Sequence, residues 1–304
     1  MTTPKRSRLR RFLGWFVEPF RRRRRHLNDE PDDDEEDFEE EFDDEPGALW
    51  PESRLRVVQR LWGDGFVRCG EADYLREFVP LMGLSERNSL LLIGAGLGGA
   101  GQRIVEDTSA WVTGYENQEE LAAIGKERVK RAGLTKRAPV NFAAFDDIKL
   151  KARAYDACIS LESLYMAADK KSLLGKVFES MRDNAELWYT DFVLPSTDPP
   201  NATVQAWADA QPEAVHLWPS DVVQALLRNT GFDVQPGEDI THAYRMRVFK
   251  SLFNFLASTN KAELLEIVDG VFAELEALAT LVRALDSGGL KVYRFHAFKP
   301  RGRG

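Results

Sequence analysis

The chain has 304 residues, 43% of them hydrophobic, with 41 basic and 49 acidic side chains and a formal net charge of −8. That is enough apolar material for one large core with appendages, and no apolar run reaches the roughly 18–20 residues that cross a bilayer. Two cysteines, Cys69 and Cys158, make no disulfide framework, and with four scattered histidines they show no metal-ligand spacing, which points to a reducing cytoplasm and to no bound metal.

Residues 1–28 are expected to form a basic amphipathic arm. Ten Lys or Arg fall within residues 1–26, and Leu9, Phe12, Leu13, Phe16, Val17 and Phe20 recur among them at helical spacing. With Trp15 beside these phenylalanines, residues 5–25 suit the anionic inner face of a membrane; the alternative is a disordered basic arm, or one that folds back on the acids that follow. Arg10-Arg11-Phe12-Leu13 looks like an export signal, but Glu18, Pro19 and Arg21 to Arg25 stand where such a signal needs apolar residues, so export is excluded. Residues 29–47 invert the charge, with fourteen Asp or Glu between residues 29 and 45, and read as a disordered linker. The remainder, 48–304, is the folded domain; it is mildly acidic, so no nucleic-acid partner is expected.

Within that domain, Leu49 to Phe66 reads as a helix and a cap, with Val57, Val58, Leu61 and Trp62 on one face. Asp73 to Met82 is a second helix. Leu90 to Ile93 is a strand buried on both faces, and Gly94-Ala95-Gly96-Leu97-Gly98-Gly99 follows. Glycines there let the backbone approach a ligand, and the helix predicted over Ala100 to Asp107 presents free N–H groups to it. Ala110 to Glu116 is the next strand, and its terminal acid lies 22 residues after Gly94. An acid so placed accepts from ribose hydroxyls. Glu119 to Ala132 is an amphipathic helix, Pro139 to Ala144 a third strand ending in Asp146 and Asp147, suited to an adenine amino group, and Tyr155 to Glu162 a fourth with Ser160 at its polar tip. A helix over Lys170 to Arg182, a strand over Leu187 to Val193, and an irregular insert from Asp198 through Trp207, His216 and Trp218 come next. Ser220-Asp221 is expected to cap a helix over Val222 to Asn229. Phe249 to Leu285 is mostly helical, and Gly288-Gly289 turns into a last strand.

Glycine loop, Glu116 and the strand tips leave two nucleotides open, NAD and S-adenosylmethionine. The order of these segments resembles the class I S-adenosylmethionine-dependent methyltransferases, and within them the branch of phosphoethanolamine, sterol and cyclopropane-fatty-acid enzymes. The matching stretches are Leu61-Trp62-Gly63-Asp64-Gly65-Phe66, Leu92 to Gly99, Asn229 to Val234 with Glu238 to Thr241, and Tyr293 to Pro300. The resemblance implies an α/β fold, a doubly wound, mostly parallel seven-stranded sheet with a helical cap over cofactor and substrate and a helical insert. It implies S-adenosyl-L-methionine as cofactor, held by Gly94, Ala95, Gly96, Gly98, Glu116, Asn117, Asp146, Asp147 and Ser160. It also implies a small-molecule or lipid-derived acceptor.

The chain departs from that branch in three places. Leu92 stands where the family has an acid. Phe66 and Met166 replace a Tyr and a His. Gln211 to Trp218 and Gly270 to Val282 carry no Lys or Arg to grip a phosphate, so a phosphobase is not expected. Glu162, His216 and Tyr165 are the catalytic candidates, with Tyr189 and His242 as further polar groups. Two functions follow: a methyltransferase for a non-phosphobase acceptor, or a catalytically impaired methyltransferase-like cofactor-binding or scaffold protein at the membrane surface.

Overall fold

The computed structural model describes residues 48–302, so the basic arm and acidic linker expected over residues 1–47 lie outside the described residues. Strands β1 (Ser89–Ile93), β2 (Trp111–Glu116), β3 (Val140–Phe142), β4 (Tyr155–Leu161), β5 (Met181–Val193), β6 (Asp233–Val234), β7 (Glu238–Asp239) and β8 (Lys291–Phe298) form one sheet. Its order is β3-β2-β1-β4-β5-β8-β6, with β7 also on β8. Strands β1 to β5 run parallel, and β8 lies antiparallel to β5. Segments β6 and β7 are two residues each and pair with successive parts of β8, at Phe298–Ala297 and at Arg294–Tyr293. They therefore share one edge position, and the sheet has the seven positions that the resemblance implies.

The chain winds outward from β1 to β2 and β3, then returns to β4 on the other side. Ligands of such sheets bind at the carboxyl ends of the strands where the order reverses, here between β1 and β4. Leu90 to Ile93 are buried at 1% exposure or less, as a central strand covered on both faces requires. On one face Leu91, Ile93, Cys158, Leu187, Tyr189 and Phe295 join the main core. On the other, helix α2 (Glu71–Phe78) sets Phe78 against Trp188 at 4.7 Å, and Trp188 stacks on His296 at 3.7 Å.

Around the sheet run α1 (Glu52–Trp62), α3 (Gly99–Thr108), α4 (Glu119–Arg131), α5 (Lys170–Ser180), α6 (Ala202–Asp209), α7 (Ser220–Thr230), α8 (Thr241–Ser258), α9 (Lys261–Glu266) and α10 (Val268–Asp286). None of the helices among the described residues is long and apolar enough to cross a membrane. The insert is less irregular than the sequence suggests. Asn201 Oδ1 accepts from the N–H groups of Thr203 and Val204, both at 3.1 Å, and so starts α6, which carries Trp207. At α7 the cap position is Pro219, not Ser220-Asp221, and Asp221 Oδ1 accepts only from its neighbour Val222, at 2.8 Å. The long C-terminal helical stretch is broken after Ser258, because Asn260 and Glu263 form a reciprocal capping box that restarts it. Strand β5 begins at Met181 rather than Leu187. Its first residues continue the ladder past a bulge, with Asn184 in the left-handed region and its N–H on the Lys299 carbonyl.

Candidate functional site

The glycine loop closes β1 with Gly94, Gly96 and Gly98 at φ of 80°, 53° and 84°, a region that side chains other than glycine rarely enter. The N–H groups of Gly94 and Ala95 both donate to the Tyr115 carbonyl, so the loop is pinned to the end of β2. Gly99 N–H donates to the Gly65 carbonyl at 3.0 Å, and a Cβ on Gly99 would lie 2.5 Å from that oxygen. The Trp62-Gly63-Asp64-Gly65 stretch therefore rests directly on the start of α3.

Glu116 is fully buried. Its Oε1 accepts from the N–H groups of Asn117 (2.9 Å) and Gln118 (3.1 Å). Its Oε2 accepts from Gly96 N–H (2.7 Å) and from Arg68 Nη2 (3.2 Å). Arg68 also donates through Nη1 to the Gly94 carbonyl at 2.9 Å and to Glu71 at 3.4 Å. Glu71 in turn accepts from the N–H groups of Val67 and Arg68. The result is a strap, Val67-Arg68, drawn across the glycine loop: a Cβ on Gly96 would meet Val67 Cγ2 at 3.0 Å and Arg68 Nη1 at 3.5 Å. Burial works against the Arg68 cation, but Glu116 and Glu71 outweigh it and hold the guanidinium above its ordinary range. Burial raises the Glu71 carboxyl, against the pull of Arg68. Sequence reasoning missed both residues. Their only signal is position, just after the Trp62 to Phe66 stretch that the family resemblance singled out.

The structure brings Gly94, Ala95, Gly96, Glu116 and Ser160 together at the carboxyl ends of β1, β2 and β4, with Ser160 paired to Ile93. Ser160 Oγ is buried and has no hydrogen-bond partner. Asn117 Oδ1 accepts from Phe145 N–H at 3.1 Å, and the Asp146 carboxylate accepts from Ala168 (3.2 Å) and Asp169 (2.9 Å). Asp146 thus ties the loop after β3 to the loop after β4, while Asp147 is exposed. Gly98 sits against Val129 and Val140 on the α4 side.

Beyond the strap lies a cavity of about 150 Å³, walled by Trp62, Tyr165, Phe192, Trp207 and Tyr244 and by Arg68 and Glu162. Tyr165 meets Phe192 edge-on at 5.3 Å, and Phe192 lies 5.0 Å from Trp207. Glu162 is 2% exposed and has φ of 44°, a left-handed conformation that costs a non-glycine residue about 1–3 kcal/mol. Its Oε1 accepts from Thr190 Oγ1 at 3.0 Å, and its Oε2 has no partner. Burial, reinforced by Glu71, pushes its carboxyl up to about 8. The neighbouring Asp191 is raised as well, by burial opposed by Lys170.

Of the other candidates, Tyr165 lines the cavity and burial raises its phenol. His216 is not among the lining residues; its backbone N–H donates to the Tyr165 carbonyl at 2.8 Å. Tyr189 stacks on Phe295 in the core, and His242 is exposed on α8. Met166 lines the cavity and Phe66 is buried. The segments 211–218 and 270–282 bring no cation, but the wall does hold guanidiniums that the sequence reading passed over. Besides Arg68 there is Arg54, whose Nε donates to Glu274 at 2.7 Å while its guanidinium lies 4.2 Å over the Trp50 ring.

No family model matches the chain. Among curated proteins it is 24% identical over 241 residues to phosphoethanolamine N-methyltransferase 1 of Arabidopsis thaliana, which covers 76% of this chain and 48% of that one. It is 24% identical over 205 residues to 27-O-demethylrifamycin SV methyltransferase of Amycolatopsis mediterranei, covering 67% of this chain and 69% of the other. Among solved structures, phosphoethanolamine N-methyltransferase 2 of Haemonchus contortus in complex with S-adenosyl-L-methionine superposes with a TM-score of 0.61 at 17% identity, covering 81% of this chain and 57% of that one. The chain spans about half the length of the plant relative it matches. These relatives are methyltransferases named for different acceptors, and the sheet described above is the fold of the solved one.

Proposed function

We propose that the chain is an S-adenosylmethionine-dependent methyltransferase whose small acceptor occupies the cavity beside Glu162. One observation carries this reading: a left-handed glycine loop, the buried Glu116 and the unpartnered Ser160 hydroxyl converge on one strand edge, and an aromatic cavity adjoins it. The edge fits the nucleoside once the Arg68 guanidinium leaves Glu116. Gly94 to Gly98 would take the backbone-close part, Glu116 the ribose hydroxyls, Asn117, Asp146 and Asp147 the side of the base, and Ser160 a polar group near the loop. When bound, the cofactor supplies an electrophilic methyl carbon, so the protein's work is positioning, exclusion of water and proton handling.

The residues divide that work. Glu116 and the loop orient, the strap of Val67 and Arg68 admits or covers, and the Trp62, Phe192 and Trp207 rings exclude water. Glu162 holds a proton at neutral pH and sits where an acceptor would lie, which makes it the proton-handling candidate, with Tyr165 beside it. His216 fixes Tyr165 through the backbone. Arg68 and Arg54 are each tied to carboxylates, which speaks against a phosphate-bearing acceptor.

A second reading is favoured by the strap and by Leu92: a methyltransferase-like scaffold that no longer loads the cofactor. Calorimetry with S-adenosylhomocysteine separates the two. Saturable heat is expected for the wild type, weakened by about 1–3 kcal/mol in Glu116→Gln through unpaired ribose hydroxyls. Arg68→Ser is expected to bind more tightly, because the closed form no longer competes. Silence from both wild type and Arg68→Ser would leave the scaffold.

A further inference from the structure

We propose that the cavity beside Glu162 is a site for an organic cation, a small protonated amine with an apolar body; its role as the methyl acceptor rests on the methyltransferase reading, its binding does not. The starting point is a shortage of donors. Three buried carboxylates, Glu71, Glu116 and Glu162, gather around one guanidinium, and Arg68 spends its hydrogen bonds on the first two and on the Gly94 carbonyl. Glu162 is left with one hydroxyl on Oε1 and nothing on Oε2. A buried carboxylate oxygen without a donor is costly, and more so in a left-handed backbone that must itself be held in place.

The wall says what would relieve it. Trp62, Tyr165, Phe192, Trp207 and Tyr244 line the same cavity as Glu162, and aromatic faces attract a desolvated cation. An apolar guest would leave Oε2 unsatisfied. An alcohol could hydrogen-bond the protonated carboxyl but could not take the place of its proton as a cation does. An anion would find Arg54 and Arg68 already paired with Glu274, Glu71 and Glu116. At about 150 Å³ the space is below the ~300 Å³ floor of ordinary ligand pockets, so the guest is small.

The groups facing Glu162 are Arg68 and Glu71 from the strap and α2, Thr190 and Asp191 from β5, Tyr165 from the turn after β4, Cys69 and Tyr74 near α2, and Tyr244 from α8. Burial first, then Glu71, against the pull of Thr190 and Arg68, leaves the empty carboxyl protonated up to about pH 8. The amine enters as its ammonium ion, the Glu162 proton leaves for solvent, and an N–H group of the ammonium donates to Oε2. Charge balances: one cation in, one proton out.

The test is calorimetry of the full chain with phenethylammonium and with the neutral isostere 2-phenylethanol, at pH 7, in phosphate and in MOPS, with and without saturating S-adenosylhomocysteine. The ammonium is expected to bind at least tenfold more tightly than the alcohol and to release close to one proton, read from the difference between buffers. Glu162→Gln, its fold checked by thermal melting, is expected to lose both the preference and the proton release. Equal affinities, no proton release, or full retention in Glu162→Gln would overturn the proposal. Ammonium binding without any heat from S-adenosylhomocysteine in either the wild type or Arg68→Ser would keep the cation site and sink the methyltransferase reading; the reverse pattern would keep that reading and sink the cation site.

Discussion

Glu116 and Glu162 are both buried carboxylates at the carboxyl edge of the same sheet, at the end of β2 and just past the end of β4, yet the fold treats them in opposite ways. Around Glu116 three backbone N–H groups and Arg68 converge, and both oxygens are occupied. Around Glu162 a single hydroxyl reaches one oxygen, Glu71 adds repulsion, and the carboxyl rises to about 8. Burial is the same; the number of aimed donors is not. A buried carboxyl with few donors aimed at it takes up a proton. The first arrangement makes an anchor. The second makes a group ready to exchange a proton for a guest.

Breaking the anchor should give the largest effect. Glu116→Gln turns an amide N–H₂ toward Gly96 N–H or Arg68, and leaves the guanidinium, 13% exposed, short of a counterion. Loss of one partner from such a pair typically costs about 3–5 kcal/mol. Urea unfolding of wild type and variant measures it. A loss under about 1 kcal/mol would mean that Arg68 simply turns to Glu71 and that the anchor is dispensable.

Glu162 sharpens the contrast through pH. Between the ordinary carboxyl value of 4.5 and about 8, the folded chain keeps a proton at Glu162 that the unfolded chain has lost. Wild-type stability from this group therefore falls as pH rises through that window and levels off above it, at about 1.4 kcal/mol per unit at most. Glu162→Gln has no such loss. Melting both proteins from pH 5 to pH 9 should show the variant pulling ahead by a few kcal/mol toward pH 8, then running parallel. A gap that does not change with pH would place Glu162 among the ordinary carboxylates.

The two sites also differ in how far the sequence reveals them. Glu116 announces itself: a buried strand, a run of glycines and an acid at fixed spacing are all local, and the helix start at Gly99 follows from them. The same locality made the two-faced burial of Leu90 to Ile93 readable, while the winding of the sheet came from the family resemblance. What governs Glu162 is not local. Its partner Thr190 sits on a neighbouring strand, its repulsive neighbour Glu71 comes from far upstream, and apart from Tyr165 the aromatic rings of its cavity are drawn from α1, α6, α8 and β5. The Arg68 strap escaped for the same reason. A lone arginine after Phe66 gains meaning only when the chain folds it over Gly94 and onto Glu116. The absence of cations from segments 211–218 and 270–282 was correct as sequence, but the cavity takes its guanidiniums from Arg54 and Arg68 instead.

The smallest expected effect is also the finest probe of the contrast. Thr190→Val is close to isosteric and removes the one donor that Glu162 has. A hydroxyl that donates to the carboxylate favours the charged form, so its loss should move the proton-exchange midpoint of Glu162 upward by up to about one unit, the equivalent of a hydrogen bond worth 0.5–1.5 kcal/mol. The pH at which the wild-type melting curve levels off reads that midpoint, and so does the buffer dependence of ammonium binding. A downward shift would reverse the roles: Thr190 would then be accepting from a protonated Glu162, its removal would weaken the neutral form, and the proton would be held by the hydroxyl rather than by the lack of donors around Oε2.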